Sequence, residues 1–155
     1  MKSLGNIPTA ETGKRKFETV SKSGLGHRAT AWEHQKFAEY VSRYPQIQDF
    51  QNQLEDQFPG QVSFHLPRLD ALSGTVVRHC SNFLDNLIEV QGPVMFKVGF
   101  THNPVWRWGS PIYGYTSKAT KEKYSNMSVI YAAPEPYSPA MLEAALIDKY
   151  KRLLV

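Results

Sequence analysis

At Gly92-Pro93 the apolar residues change period, and that change limits the folds open to the chain. Before it, Leu69, Leu72, Val76, Cys80, Phe83, Leu84, Leu87 and Ile88 recur at helical spacing. They predict one helix of roughly twenty residues, closed by the Gly-Pro pair. After it, VMFKVGF (94–100) and MSVIYAA (127–133) are β-rich runs of strand length. Helices in front and strands behind predict an α+β fold.

The rest of the chain fits around that switch. Trp32, Phe37, Tyr40 and Val41 mark one face of a helix from Thr30 to about Ser42. Ile47, Phe50 and Leu54 mark a second, ended by Pro59-Gly60, and QVSFHL (61–66) is a short strand candidate. Between the two later strands lie a short helix at NPVWRW and a polar loop, TSKATKEKYSN. Ser138-Pro139 is expected to open a last helix to about Leu153, with Ser as N-cap and Pro at the first helical position. Residues 1–28 are rich in Gly, Ser, Thr and Lys without apolar periodicity, and a disordered basic tail is expected there. The expected organisation is thus a tail (1–28), a helical arm (29–92) with a short strand at 61–66, and a core (93–155).

Charge says less about partners than the pI of about 9.2 suggests. Residues 1–30 hold six Lys/Arg against two acids, and the remaining 125 residues hold twelve of each, so the whole net charge of +4 sits in the tail. Such a tail is either a solvated terminus or a phosphate-docking segment. Its GKRK reads as a weak nuclear address or as part of a targeting leader. Cys80 is the one cysteine, so an intramolecular disulfide and a CxxC zinc site are excluded. No run of eighteen apolar residues exists to span a membrane, and the N-terminus lacks a secretory apolar region. The expected location is intracellular, cytoplasmic or nuclear.

Two features carry candidate chemistry. On the last helix, Leu142, Ala145, Leu146, Ile147, Tyr150, Leu153 and Leu154 share one arc, and Glu143 falls inside it. A carboxylate on a core-facing stripe is costly unless a cation meets it. An edge glutamate reaching water, or a structural salt bridge, satisfies the same pattern. In FKVGFTHNPVWRW (96–108), Asn103 is a good N-cap and Pro104 suits the first helical position. Arg107 then stands early in a helix between Trp106 and Trp108. Guanidinium keeps its charge, binds phosphate bidentately and stacks on aromatic rings. Packing on tryptophan alone would use the same residues.

KVGFTHNPVWRW followed, 36 residues after Arg107, by MLEAALI resembles the GIY-YIG nuclease superfamily over about residues 94–150. Lys97-Val98-Gly99 matches the family's second tripeptide, with lysine where tyrosine is more usual. Arg107 matches the catalytic arginine and Glu143 the ligand of the single divalent cation. The resemblance implies a small, mostly antiparallel three-stranded sheet flanked by helices. It also implies endonucleolytic hydrolysis of a phosphodiester with Mg²⁺ or Mn²⁺. Mg²⁺ keeps most of its waters and needs only one or two protein carboxylates, so a lone glutamate suffices.

The first tripeptide, which supplies a tyrosine near the attacking water, is not found. Ten residues or so before Lys97 stand Asp85 and Asn86, inside the predicted long helix. Either QVSFHL supplies that first strand ahead of a helical insertion, or the strand is lost. Tyr113, Tyr115 and His102 are candidates for a substitute base. The asparagine that many members carry beyond the glutamate helix has no counterpart before Val155. The catalytic set expected from the resemblance is Lys97, Arg107, Glu143, Tyr113 and Tyr115. Nucleic acid, DNA ahead of RNA, is expected against Lys97, His102, Trp106, Arg107 and Trp108, with no organic cofactor and no membrane. His34, His65 and His79 are expected to be structural or exposed. Competing readings are a non-catalytic nucleic-acid-binding module on the same fold and a protein-interaction arm on a decayed core.

Overall fold

The computed structural model describes residues 7–13, 31–92, 96–117 and 124–153. Its elements are β1 (Ile7–Gly13), α1 (Ala31–Arg43), α2 (Gln46–Gln57), β2 (Val62–Phe64), α3 (Ser73–Gln91), β3 (Phe96–Thr101), α4 (Pro104–Gly109), β4 (Tyr124–Val129) and α5 (Tyr137–Tyr150). Among the described residues the architecture is α+β, with five helices around one four-stranded sheet ordered β2-β4-β1-β3. β1 runs antiparallel to both β3 and β4, and β2 runs parallel to β4.

The sheet is buried on both faces. Met127 and Lys97 both pair with Glu11 in register, and residues directly opposite one another share a face. On that face Met127 and Val129 join Tyr40, Ile47, Leu54, Trp108 and Tyr115, brought by α1, α2, α4 and the loop after α4. On the other face Phe96 and Val98 pack with Val76, Cys80 and Leu84 of α3 and Leu142, Leu146 and Tyr150 of α5. The period-2 alternation of β3 therefore sends Phe96 and Val98 one way and Lys97 and Gly99 the other.

Most element boundaries follow their local chemistry. α3 buries Val76, Cys80, Leu84 and Leu87 along one stripe and stops at Gly92, whose φ of +77° suits a residue without a Cβ. Its N–H closes the helix on the Ile88 carbonyl at 2.9 Å. The last helix starts one residue before Ser138, and its cap comes from elsewhere. Glu135 accepts the Ser138 N–H at 2.9 Å and its hydroxyl at 3.2 Å, so a carboxylate replaces the expected serine cap at the positive end of the helix.

Three expectations fail, beginning at the N-terminus. Residues 7–13, assigned to a disordered tail, form β1, an inner strand of the sheet. The rest of that assignment, 1–6 and 14–28, lies outside the described residues. The physical reason is tertiary: IPTAETG has no apolar alternation of its own, and pairing on both sides makes it a strand. Pro8, which cannot donate to a ladder, sits where only β3 pairs the strand. The sheet accordingly has four strands and one parallel pair, in place of three mostly antiparallel strands. QVSFHL contributes only the edge strand β2 and is not the neighbour of β3. The division into arm and core also gives way, since residues 62–64 extend the same sheet and α2 packs on α4.

Candidate functional site

The site is built from the turn after β3. Thr101 Oγ1 accepts the Asn103 N–H at 3.1 Å and bonds its carbonyl at 3.2 Å. The Asn103 side chain then accepts the N–H groups of Val105 and Trp106 at 3.0 and 3.1 Å, with Pro104 in the first turn. That is the cap the sequence predicts, and it fixes where Arg107 emerges.

After α4 the chain folds straight back. Tyr115 N–H donates to the Arg107 carbonyl at 2.9 Å, and Thr116 donates to the Trp108 carbonyl through its N–H at 3.1 Å and its hydroxyl at 2.8 Å. Ser117 Oγ donates to the Pro111 carbonyl at 2.9 Å. The return is tight: a Cβ on Gly114 would run into the Ser110 backbone and stand 2.8 Å from the Trp108 carbonyl oxygen. Only glycine passes there, and the result is to seat Tyr115 beside Arg107.

Four side chains converge around Gly99. Lys97 Nζ lies 5.2 Å and Arg107 Cζ 5.3 Å from the centroid of the Tyr115 ring, both within cation–π range. A Cβ on Gly99 would stand 3.6 Å from Tyr115 Oη and 3.7 Å from Glu143 Oε2. The phenol oxygen and the carboxylate thus border the same bare stretch of β3. Burial pushes the Glu143 carboxyl above its ordinary value, and the Arg107 charge draws it part of the way back. Lys97 is half-buried, its ammonium against the same ring as the Arg107 guanidinium.

The other expected residues divide. Tyr113 is exposed and lies tilted against Trp106, with ring centroids 5.8 Å apart, so it stands outside the cluster. Trp106 is half exposed, and His102 is exposed on the turn. Trp108 is fully buried and donates its indole N–H to Gln61 Oε1 at 3.0 Å. Expected against nucleic acid, it is a core residue out of a ligand's reach. The apolar arc of α5 is narrower than its sequence suggests: Leu142, Leu146 and Tyr150 are buried, while Ile147 and Leu153 are exposed. Glu143 stands at the rim of that stripe. Nothing in the sequence separates Tyr115 from Tyr113, because the fold-back that parts them rests on backbone hydrogen bonds.

Two cavities, of about 370 and 830 Å³, open elsewhere, against α1 and β2. His65 and His79 line the smaller; His65 Nδ1 is 3.9 Å from Glu33 Oε2, and His79 Nε2 is 2.6 Å from the His65 carbonyl oxygen. Burial lowers the His79 pKa, the hydrogen bond to the His65 carbonyl opposes this, and the Lys36 and His65 charges lower it further; the ring serves as a structural hydrogen-bonding group. Neither cavity includes Lys97, Arg107, Tyr115 or Glu143. The cluster is distinguished from both cavities by its convergence of charged groups beside a carboxyl whose pKa is raised by burial.

Among the described residues no group of three or more His, Cys, Asp or Glu is placed to hold a metal ion. Among the residues whose side chains are described, Glu143 is the carboxylate at the cluster. That donor set is too small for zinc and fits Mg²⁺ or Mn²⁺, which complete their shells with water and substrate oxygens. No described helix is long and apolar enough to cross a membrane. No family model, no curated protein and no solved structure matches the chain.

Proposed function

We propose that the chain is a GIY-YIG-like, divalent-metal-dependent endonuclease that hydrolyses nucleic-acid phosphodiester bonds, with Tyr115 in the role of the tyrosine the first tripeptide lacks. The observation that carries this reading is the meeting of Lys97, Arg107, Tyr115 and Glu143 at Gly99. The antiparallel trio β4-β1-β3 supports it, with KVG on one of its strands and residues 14–95, an 82-residue insertion, between β1 and β3. β1 contains no tyrosine, so the phenol has to come from another element.

Each residue has a task in that reaction. Arg107 and Lys97 hold the phosphate and meet the negative charge that grows on its oxygens. Tyr115 Oη orients the attacking water and relays its proton to solvent, releasing its own hydrogen as it takes the water's. The water oxygen joins phosphorus as the bond to the 3′-oxygen breaks, and solvent protonates the leaving oxygen. Glu143 would hold the metal ion, which supplies Lewis-acid stabilisation of the same charge.

The test is cleavage of supercoiled and single-stranded circular DNA by the full chain in Mg²⁺ or Mn²⁺. Nicked or linear products that vanish with EDTA are expected, and Tyr115→Phe should slow cleavage roughly 10²-fold with DNA affinity retained. Products that persist in EDTA would overturn the metal-dependent reading. DNA bound at low salt but left intact in both metals would favour the non-catalytic binding module. No affinity at low salt would end both readings.

A further inference from the structure

Beside the charged cluster lies a second feature that the proposed reaction does not use. Trp106 is 49% exposed, Tyr113 67% and Ile112 67%, an apolar surface on a turn that has abundant polar alternatives. The two rings lie 5.8 Å apart with their planes inclined by 31°. They are held there: the Tyr113 N–H donates to Ser110 Oγ at 3.2 Å, and Gly114 N–H donates to the Ser110 carbonyl at 2.9 Å. Trp106 adjoins Arg107 in α4, and Tyr113 lies two residues from Tyr115 on the same folded-back loop. The aromatic pair is thus rigidly joined to the two residues that define the phosphate site.

We infer that Trp106 and Tyr113 form a stacking platform for unpaired bases, so that the substrate is a single strand or a single-stranded region and not an intact duplex. This rests on the phosphodiesterase reading for its phosphate contact. In a duplex the bases stack on one another and show only their edges in the grooves, leaving an aromatic face nothing to cover. An unpaired strand offers both its phosphates and its ring faces, and stacking tolerates any base. Charge points the same way. Outside residues 1–30 the chain carries twelve basic and twelve acidic side chains, so phosphate attraction over a long duplex footprint is weak. A cation pair flanked by exposed rings is complementary to one nucleotide and its neighbour.

The experiment is fluorescence anisotropy with the full chain in EDTA, using labelled (dT)15, (rU)15 and a duplex of equal length. The expected result is at least tenfold tighter binding of a single strand than of the duplex, with the DNA and RNA arms identifying which strand is preferred. Trp106→Ala and Tyr113→Ala should each weaken single-strand binding roughly 5- to 100-fold, Trp106→Phe much less, with the duplex less affected throughout. Equal affinity for strand and duplex, or single-strand affinity unmoved by both alanine variants, would overturn the platform. Single-strand binding that depends on Trp106 in a protein that cuts nothing would keep the platform and remove the nuclease. Duplex cleavage indifferent to Trp106→Ala would do the reverse.

Discussion

Glu143→Gln is expected to abolish cleavage and, in the same protein, to raise resistance to unfolding at neutral pH in metal-free buffer. The amide keeps the shape of the side chain but cannot hold a hard cation as a carboxylate does. With the metal's contribution of several kcal/mol gone, the rate should fall about 10³-fold or more. The stability change follows from burial. Desolvation dominates the environment of Glu143 and raises its pKa, and Arg107 offsets only part of this. The ionised side chain is therefore less comfortable in the folded protein than in the unfolded one.

The sign with pH is then fixed. A carboxyl whose folded pKa lies above its unfolded value favours folding while protonated, and that contribution disappears as pH rises through the folded pKa. Metal-free wild type should lose stability relative to the glutamine variant from about pH 4 upward, then run parallel to it near neutrality. Urea unfolding of both proteins between pH 4 and pH 8 measures the difference. Adding Mg²⁺ should narrow or reverse it, because the proposed metal site requires the carboxylate that the amide lacks. A variant that is less stable than wild type in EDTA at pH 7 would mean that Glu143 serves a structural ion pair with Arg107.

The elements that could be read from sequence were those whose pattern is local. Asn103-Pro104 carries its own capping chemistry, and the stripe from Val76 to Leu87 announces α3 whatever packs on it. β1 shows the opposite case. Pro8, Thr9, Thr12 and Gly13 would suit a loop, and two neighbours 80 residues and more away in sequence make the segment a strand. The site divides along the same line. Arg107 and Glu143 stand out because a cation among tryptophans and an acid on an apolar stripe are locally anomalous. Tyr115 does not, since SPIYGYTS gives both tyrosines alike to a reader of sequence. The fold-back through Gly114 buries one beneath two cations and leaves the other on the surface.

Trp108→Ala should cost about 3–5 kcal/mol, the range for deleting a fully buried large aromatic. A domain of this kind holds about 5–15 kcal/mol in all, so the variant would be left marginal. The loss has three parts here. The indole fills the core between α1, α2, β4 and the loop after α4 with Tyr40, Leu54 and Met127. Its N–H satisfies Gln61 Oε1, which would be left without that donor. Its neighbour Gly109 lies so close to the Phe58 ring that a Cβ there would overlap it, so α4 has no slack with which to close the gap. Trp106→Ala, two residues away, should change stability by no more than about 0.5 kcal/mol, because that ring is half exposed. Urea midpoints at an unchanged slope would show the contrast. Trp108→Phe separates packing from position: it keeps most of the volume, loses the hydrogen bond to Gln61, and should still cut. Similar losses for both tryptophans to alanine would contradict the division that sets Arg107 between an inner ring that seats the helix and an outer ring open to solvent.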